Sequence, residues 1–397
     1  MNGKARAPTE KTPVSNAIYA DGDQAMKLFE SIVRQGPLTT LPEPETVRIP
    51  LSCHRPDIKC GQKMARGIHI GGGYYAPISG TVTEVHPTYI CIKAEAVDEP
   101  SPRDMGALSG NELRTALNDM GAGLPEGPAQ TLIINGVEPE PGVTAFAHML
   151  DELSRIVQLG LSTAQSVFSP NRTVLAVEAG ASQSLDGCEK AAIENGYPNG
   201  IDPLVAKAIT GMENPDNVAV LSVGRLFELG MIMDTGLPCD KTVVTCGETD
   251  FVTTVGTPVD LILTTAHQTV RHGDTVVLGG LMRGEAAHSL QQGISKDTYG
   301  LFVVPKGQYP PVEDSPCIGC GECIPVCPAR IDPATISGYA EFRMYDKCRE
   351  HDIDACMECG MCGFFCIARR PLLQYIRLAK QHLAQADTCK LNDQGEG

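Results

Sequence analysis

Tryptophan is absent from this chain of 397 residues, and aromatic residues make up only 5% of it. Basic residues are also scarce: 32 Lys and Arg stand against 48 Asp and Glu, which gives a formal net charge of −16. Nucleic-acid binding needs a basic surface for the phosphates, and often aromatic side chains that stack on bases. The composition therefore argues against a nucleic-acid partner.

Long apolar runs are missing as well. No segment approaches the ~20 apolar residues of a membrane-spanning helix, and the first residues, MNGKARAPTEKTPVSN, lack the apolar core of a signal peptide. We therefore expect a protein of the cytoplasm without direct membrane insertion. The length indicates two to four domains, and 42% hydrophobic residues are enough to fill their cores.

Cysteine, in contrast, is abundant, with 16 residues. In a long chain without a secretion signal, reduced thiols are expected rather than a disulfide framework. Eight of the cysteines follow a repeated spacing between Cys317 and Cys366, whereas the other eight, including Cys348, stand alone. We interpret the single ones as small buried hydrophobic residues.

The repeated spacing is C-x2-C-x2-C-x3-C. Its first copy runs from Cys317 to Cys327 and is followed by Pro328, and its second copy runs from Cys356 to Cys366. Bacterial ferredoxins bind two [4Fe-4S] clusters in this way, and the fourth cysteine of each copy ligates the other cluster. We therefore predict one cluster on Cys317, Cys320, Cys323 and Cys366, and a second on Cys356, Cys359, Cys362 and Cys327. Zinc ribbons need only isolated C-x2-C pairs, so two full sets fit zinc poorly.

Turns and composition divide the chain into five segments and predict a multidomain α/β protein. They are a polar arm over 1–45, a small β-domain over 46–97, an α/β domain over 111–235, a second β-rich domain over 238–305, and the cysteine module over 313–386.

The patterning also predicts individual elements. Continuous apolar runs indicate buried parallel strands at TLIING, TVLAVEA and NVAVLSV. Short β runs are expected at VRIPL, APISGTVTEV, YICIKA, KTVVTCG, DLILTTA and DTVVLGGLM. Helices are expected near 143–160, 184–195, 202–211 and 224–230, with an amphipathic stretch at 23–34 and a helix after Pro371 that buries Leu372, Ile376, Ala379 and Leu383.

One loop of the α/β domain combines an apolar strand with polar residues. The strand that ends at Ile134 leads directly into Asn135, Gly136, Glu138 and Glu140. Ligands of parallel sheets bind at the carboxyl ends of the strands, so this loop is a candidate binding site. A solvated turn would look the same, and the residues alone leave both interpretations open.

Several segments together resemble a known family. INGVEPEPGVT, YPNGIDPLVAKAITG, NVAVLSVGRLFELG, VGTPVDLIL, GGLMRGEAAHSL and PLLQYIRLAK occur in that order between about Val47 and Ala386. They resemble the C subunit of the Rnf-type ion-translocating ferredoxin:NAD oxidoreductase. The resemblance implies a barrel-sandwich domain over 46–97, a Rossmann-like domain over 111–235, a β-grasp (SLBB) domain over 238–305 and a two-cluster ferredoxin module. It also implies FMN and NAD(H) near Asn135, Glu138, Glu140, Gly121 and Gly123.

One departure from the family pattern concerns the phosphate loop, which usually reads G-x-G-G-A-G-x-P. The matching residues 118–125 read NDMGAGLP, with two glycines missing and Asp119 added. No Lys or Arg lies between Arg114 and Arg155 to offset the acidic side chains. Because such a loop approaches a diphosphate poorly, we predict weak or absent NADH binding and a small redox protein with a basic surface as electron partner.

The resemblance implies a peripheral electron-transfer subunit of a membrane-bound, ion-translocating complex at the cytoplasmic face of the bacterial inner membrane. Its partners would be the membrane and flavin subunits of that complex and a soluble redox partner, which could be ferredoxin, NAD(H) or a cytochrome. One alternative is a stand-alone soluble flavin and iron–sulfur reductase that resembles cobalamin reductase. Another is a scaffold whose clusters only stabilise the fold.

Overall fold

Four β-sheets and a C-terminal group of helices make up the part of the chain that the structure, a computed structural model, describes: residues 36, 38–51, 57–71, 73–309 and 311–395. The protein is a mixed α/β protein. The stretch 23–34, where an amphipathic segment is expected, lies outside the described residues.

The strands are β1 Thr39–Thr40, β2 Thr46–Pro50, β3 Lys63–Met64, β4 His69–Gly71, β5 Tyr74–Tyr75, β6 Gly80–His86, β7 Tyr89–Ala94, β8 Thr131–Asn135, β9 Arg172–Glu178, β10 Glu189–Ile193, β11 Val218–Ser222, β12 Lys241–Cys246, β13 Thr249–Thr254, β14 Thr275–Leu278, β15 Glu285–Ala286 and β16 Gly300–Val304. The helices are α1 Gly110–Asn118, α2 Ala145–Glu152, α3 Ser154–Phe168, α4 Asp202–Thr210, α5 Val223–Thr235, α6 Val259–Thr265, α7 Pro333–Glu341, α8 Tyr345–Glu350, α9 Met361–Phe364 and α10 Leu372–Gly395, and a 3-10 turn covers Ile353–Ala355.

The first sheet along the chain is antiparallel, with the strand order β2-β7-β6-β3, and a separate two-stranded sheet is formed by β4 and β5. Its inward-facing side chains include Val47, Ile49, Val82, Ile90 and Ile92, all fully buried. Alternation of apolar and polar residues along these strands explains why one face is buried. The β runs expected at VRIPL, APISGTVTEV and YICIKA are confirmed by β2, β6 and β7.

A fully parallel sheet in the order β10-β9-β8-β11 lies at the centre of the α/β region. The three buried strands predicted from continuous apolar runs are confirmed as β8, β9 and β11. Helices α3 and α5 pack on each other at two glycines. A Cβ at Gly160 would lie 1.9 Å from the Leu226 oxygen, and one at Gly230 would lie 2.0 Å from the Ile156 oxygen. Only glycine permits this close helix contact.

Two of the expected elements are wrong. The segment 184–195, expected to be helical, contains strand β10, which pairs with β9 along its whole length. The run DLILTTA, expected to be a strand, is helix α6, which buries Val259, Ile262 and Leu263. That i, i+3, i+4 spacing is helical, and the preceding Pro258 suits a helix start; the apolar, β-branched composition concealed it.

The largest sheet of the described chain has six strands in the order β1-β13-β12-β16-β14-β15. Strands β12, β13 and β16 contribute its buried core residues Val244, Phe251 and Leu301, and Ile262 of α6 packs on them. Strand β1 pairs in parallel with β13, so the last residues of the segment expected to be a loose arm belong to a sheet.

Helices α7, α8 and α10 surround the C-terminal core, which includes Ile336, Ala340 and Cys348. The predicted inner face of α10 is confirmed, because Leu372, Ile376, Ala379 and Leu383 are all buried. Within the described part of the chain, no helix is long and apolar enough to cross a membrane.

Candidate metal centres

Four cysteines assigned to the second cluster line a single cavity. Cys327 enters this cavity from the end of the first motif copy, and Cys356, Cys359 and Cys362 enter it from the second copy. The cavity contains about 330 Å³ of space, part of it open to solvent, and Ile331, Leu373 and Ile376 contribute to its mostly apolar wall. The fold therefore brings the fourth cysteine of one copy to the loop of the other.

The cysteines assigned to the first cluster lie nearer the surface. Cys317 and Cys320 are exposed, whereas Cys323 and Cys366 are buried and pack with Leu372 in one small core. Burial raises the pKa of the Cys323 thiol, and the nearby Cys366 raises it further. The structure thus places Cys366, the last cysteine of the second copy, beside the first loop.

The two ligand loops turn in the same way. The Gly319 N–H donates to Cys317 Sγ at 3.4 Å, and the Glu358 N–H donates to Cys356 Sγ at the same distance. Gly360 in the second loop has φ +77°, and a Cβ there would lie 2.3 Å from the Met282 oxygen. Inward-pointing N–H groups of this kind stabilise negative charge on cluster sulfurs.

The chemistry of the cavity fits an iron–sulfur cluster. Burial raises the pKa of Cys356, raises that of Cys359 to about 11, and raises that of Cys362 strongly. Thiolates in this apolar cavity therefore need a positively charged group to compensate them, and bound iron supplies one.

The spacing of the side chains argues against zinc. Among the residues that the structure describes, no three His, Cys, Asp or Glu side chains are close enough to hold one metal ion. Zinc requires its thiolates about 2.3 Å from a single point, whereas a [4Fe-4S] cluster distributes its four cysteines over four iron corners. The four cysteines that line the cavity could hold such a cluster.

Charged residues of α10 brace the second loop. The Glu358 carboxylate pairs with Arg377 at 3.0 Å and with Lys380 at 3.1 Å. Burial alone would raise the pKa of Glu358, but hydrogen bonds and charge from Lys380 and Arg377 hold it below its ordinary value. Lys380 also donates to the Cys356 oxygen at 2.6 Å, so α10 fixes the loop directly.

Asn135 and Glu138, both expected near a nucleotide, make internal contacts instead. The buried Asn135 amide donates to the Gly200 oxygen at 2.8 Å and to Asp202 Oδ1 at 2.7 Å. The Glu138 carboxylate accepts the N–H groups of Phe146 and Ala147 at the start of α2, at 3.2 and 2.8 Å. Burial raises the Glu138 pKa well above its ordinary value, although these N–H groups oppose the rise.

Glu140 connects the same loop to a distant segment. Its buried carboxylate pairs with Arg283 at 2.7 Å and accepts the Met282 N–H at 2.9 Å. Burial raises the Glu140 pKa, and Arg283 opposes this shift. Arg283 in turn accepts a hydrogen bond from Arg377 of α10 at its backbone oxygen. Glu140 therefore connects the loop after β8, through Met282 and Arg283, to α10. Because Arg377 of α10 also pairs with Glu358, this chain of contacts holds the second ligand loop in place.

Gly121 and Gly123 belong to a turn whose N–H groups are largely used within the turn. Gly121 donates to the Asn118 oxygen at 3.0 Å, Ala122 donates to the Leu117 oxygen at 3.0 Å, and the Leu124 N–H donates to Asn118 Oδ1 at 2.7 Å. Few donors are left for a phosphate.

Two basic residues that sequence reasoning missed hold this turn. Lys296 donates to the Gly121 oxygen at 2.8 Å, and Arg225 donates to the Ala122 oxygen at 3.0 Å. Both cations also pair with the buried Glu228. They come from α5 and from the turn before β16, so no local sequence signal could have connected them to the loop.

The comparisons with known proteins agree with the cysteine geometry. A family model described as "4Fe-4S dicluster domain" matches residues 310–367. The chain is 26% identical to the C subunit of the Na(+)-translocating ferredoxin:NAD(+) oxidoreductase complex of Acetobacterium woodii, over 86% of this chain and 91% of that protein. It is 24% identical to the C subunit of the proton-translocating ferredoxin:NAD(+) oxidoreductase complex of Clostridium ljungdahlii, over 87% of this chain and 89% of that protein.

A third relative is longer. The C subunit of the ion-translocating oxidoreductase complex of Pectobacterium carotovorum subsp. carotovorum is 28% identical over 88% of this chain, which spans 56% of that protein. The resemblance inferred from the sequence is thereby confirmed, and so is the expectation of [4Fe-4S] chemistry in the C-terminal region.

Proposed function

We propose that this chain is the electron-transfer C subunit of a membrane-bound, ion-translocating oxidoreductase complex, and that it carries two [4Fe-4S] clusters. One observation carries the proposal. Cys327 lines the same cavity as Cys356, Cys359 and Cys362, which is the arrangement that crossed ligation of two clusters requires. The similarity to the C subunits of such complexes along most of the chain supports the same function.

Clusters bound to these cysteines would supply one-electron transfer. The residues of the chain hold the clusters, exclude water and set their potentials through burial and hydrogen bonds to sulfur. The second set of cysteines lies mostly inside the protein, whereas Cys317 and Cys320 of the first set are at the surface. The first cluster is therefore the proposed point of exchange with other proteins.

The residues expected to bind FMN and NAD(H) do not fit a nucleotide. Asn135, Glu138 and Glu140 have protein partners, and most N–H groups around Gly121 are already bonded. We therefore propose that electrons reach this chain from a redox protein and not from NADH directly. Flavin chemistry in the complex would then belong to a partner subunit.

The finer architecture is part of the proposal. The antiparallel sheet supports a barrel-sandwich domain over 46–97, the parallel sheet with its helices supports a Rossmann-like domain over 111–235, and the mixed sheet supports a β-grasp (SLBB) domain over 238–305. The helices around the cysteines support a ferredoxin module over 313–386. The proposed location is the cytoplasmic face of the bacterial inner membrane, beside the membrane and flavin subunits.

A tagged chain purified anaerobically from its natural host tests this function. We expect it to co-purify with membrane subunits and to show two reducible [4Fe-4S] signals by electron paramagnetic resonance (EPR). Cys348→Ser is the control variant, because this buried cysteine lies in the same module but outside both sets. It should keep the same partners and both EPR signals. A chain that purifies alone and still reduces a soluble cofactor such as cobalamin would favour the stand-alone reductase and contradict the proposal.

A further inference from the structure

Three isoleucines are exposed around the first cluster site. Ile318, Ile324 and Ile367 each follow directly a cysteine assigned to that cluster, and 64%, 44% and 40% of their respective surfaces are accessible to solvent. We call these three side chains the isoleucine patch. Cys323 and Cys366 pack in one small core, together with Cys362, and the Glu313 N–H donates to the Arg369 oxygen at 2.9 Å. The segments that carry the three isoleucines therefore lie side by side.

The second ligand loop shows what normally covers such residues. Met357 occupies the position in the second copy that Ile318 occupies in the first. It is partly buried and packs against a core that includes Ile201 of the α/β region, as does Tyr197. The Tyr197 hydroxyl also donates to the Cys359 oxygen at 2.5 Å. The chain thus covers the second loop with its own residues, whereas Ile318 of the first loop stays exposed among the residues that the structure describes.

The charges beside the patch are mostly acidic. Glu313, Asp314 and Glu322 are exposed next to the first ligand loop, and Arg369 is the half-buried basic residue there. Arg370, the next residue along the chain, is buried and paired with Glu341 at 2.6 Å. A partner face that is apolar at its centre and basic at its rim would match this surface.

We propose that the isoleucine patch docks a sister subunit of the same complex, one that carries its own one-electron redox centre behind an apolar face with a basic rim. The inference rests on the proposed function. Exposed aliphatic side chains favour a lasting interface, because permanent interfaces bury more apolar surface than transient ones. One electron passes between the first cluster and the partner's centre, so one is oxidised as the other is reduced, and no bond forms or breaks.

The test uses the tagged full-length chain in its complex. The double variant Ile318→Ser/Ile367→Ser should bind the sister subunit at least about tenfold more weakly, a loss of about 1.4 kcal/mol, since it removes two apolar side chains from the centre of the proposed interface. Its iron content and both EPR signals should stay as in the wild type. Ile68→Ser is the matched control, because Ile68 is 43% exposed but lies outside the module, and it should bind normally.

A charge variant tests the rim. Glu322→Lys should weaken binding at low salt and reduce the dependence of binding on salt, with cluster content unchanged. If the double isoleucine variant binds the flavin- or iron-carrying subunit as tightly as the wild type does, the patch is not the docking surface. An equal loss of binding in Ile68→Ser would also contradict the proposal that the isoleucine patch is the docking surface.

Two further outcomes are distinguishable. A wild-type chain that co-purifies with no redox subunit would overturn the proposed function itself, whatever the variants do. Binding of the wild-type chain, but not of the double variant, to protein-free vesicles of phosphatidylethanolamine and phosphatidylglycerol would assign the patch to lipid and contradict the inference.

Discussion

Glu358 shows at the residue scale how the second ligand loop differs from the first. It has φ +54° at the position where the first copy has Gly319, whose φ is +67°. A side chain in this left-handed region costs about 1–2 kcal/mol. The ion pairs of the Glu358 carboxylate with Arg377 and Lys380 offset that cost and bind the loop to α10. The first loop has glycine and needs no such brace.

Replacement of Glu140 tests whether this residue supports the fold. Glu140→Ala should lower the free energy of unfolding by about 2 kcal/mol, because it leaves the partly buried Arg283 without its carboxylate. Glu140→Gln should cost less, since its amide oxygen can still accept the Met282 N–H. The measurement is the urea midpoint of the cluster-loaded protein without added nucleotide. An unchanged midpoint for Glu140→Ala would indicate that the residue is reserved for a ligand.

At the scale of elements, the features that could be predicted from the sequence are continuous buried strands and cysteines whose spacing is fixed by the cluster they bind. Strands β8, β9 and β11 could be predicted because their apolar runs are continuous, and β8 and β9 are buried on both faces. Strand β10 could not, because its exposed Glu189 and Lys190 resemble a helix surface and only pairing with β9 makes it a strand. The cysteine sets were visible because cluster geometry dictates spacing, whereas Glu140 and Arg283 meet only in the folded chain.

The two ligand loops offer a matched pair of glycine substitutions. Gly360→Ala should cost the protein its second cluster, because the new Cβ meets the Met282 oxygen at 2.3 Å in addition to the unfavourable φ of +77°. Gly321→Ala has a similar φ of +80° but nothing within 4 Å, so it should keep both clusters at a cost of about 1–2 kcal/mol. Iron and sulfide analysis with EPR measures both. Equal cluster loss in the two variants would show that backbone strain, and not the contact with Met282, determines whether the clusters are retained.

The loop around Gly121 predicts poor nucleotide binding. Calorimetry should detect no NADH binding up to about 1 mM, the upper end of ordinary substrate affinities, since most of the loop's N–H groups are bonded internally. NADH alone should leave the clusters oxidised. Micromolar affinity, or rapid bleaching of the clusters by NADH, would restore direct NADH oxidation by this chain.

At the scale of the whole molecule, a net charge of −16 acts on every approaching partner. In the chain outside its complex, where the first cluster site is open, the acidic field should steer a basic redox protein toward that site and speed its association at low salt. Such a protein would reach the covered second set of cysteines less directly. This expectation rests on the different exposure of two cysteine sets that have the same local spacing.

Salt dependence tests the steering. The rate at which the reduced chain transfers electrons to a basic cytochrome should fall as ionic strength rises from about 0.01 to 0.15 M, because the screening length shrinks over this range. An uncharged quinone is the control acceptor and should show no such fall. A rate to the cytochrome that does not change with salt would exclude electrostatic steering.

Crossed ligation is the central claim, and EPR of single Cys→Ser variants tests it most directly. Cys327→Ser should lose the signal that Cys356→Ser also loses, and Cys366→Ser should lose the signal that Cys317→Ser loses, while Cys348→Ser keeps both. The wild type should contain about eight irons and eight sulfides. If Cys327→Ser instead lost only the signal that vanishes in Cys317→Ser, each motif copy would hold its own cluster and the account would be wrong.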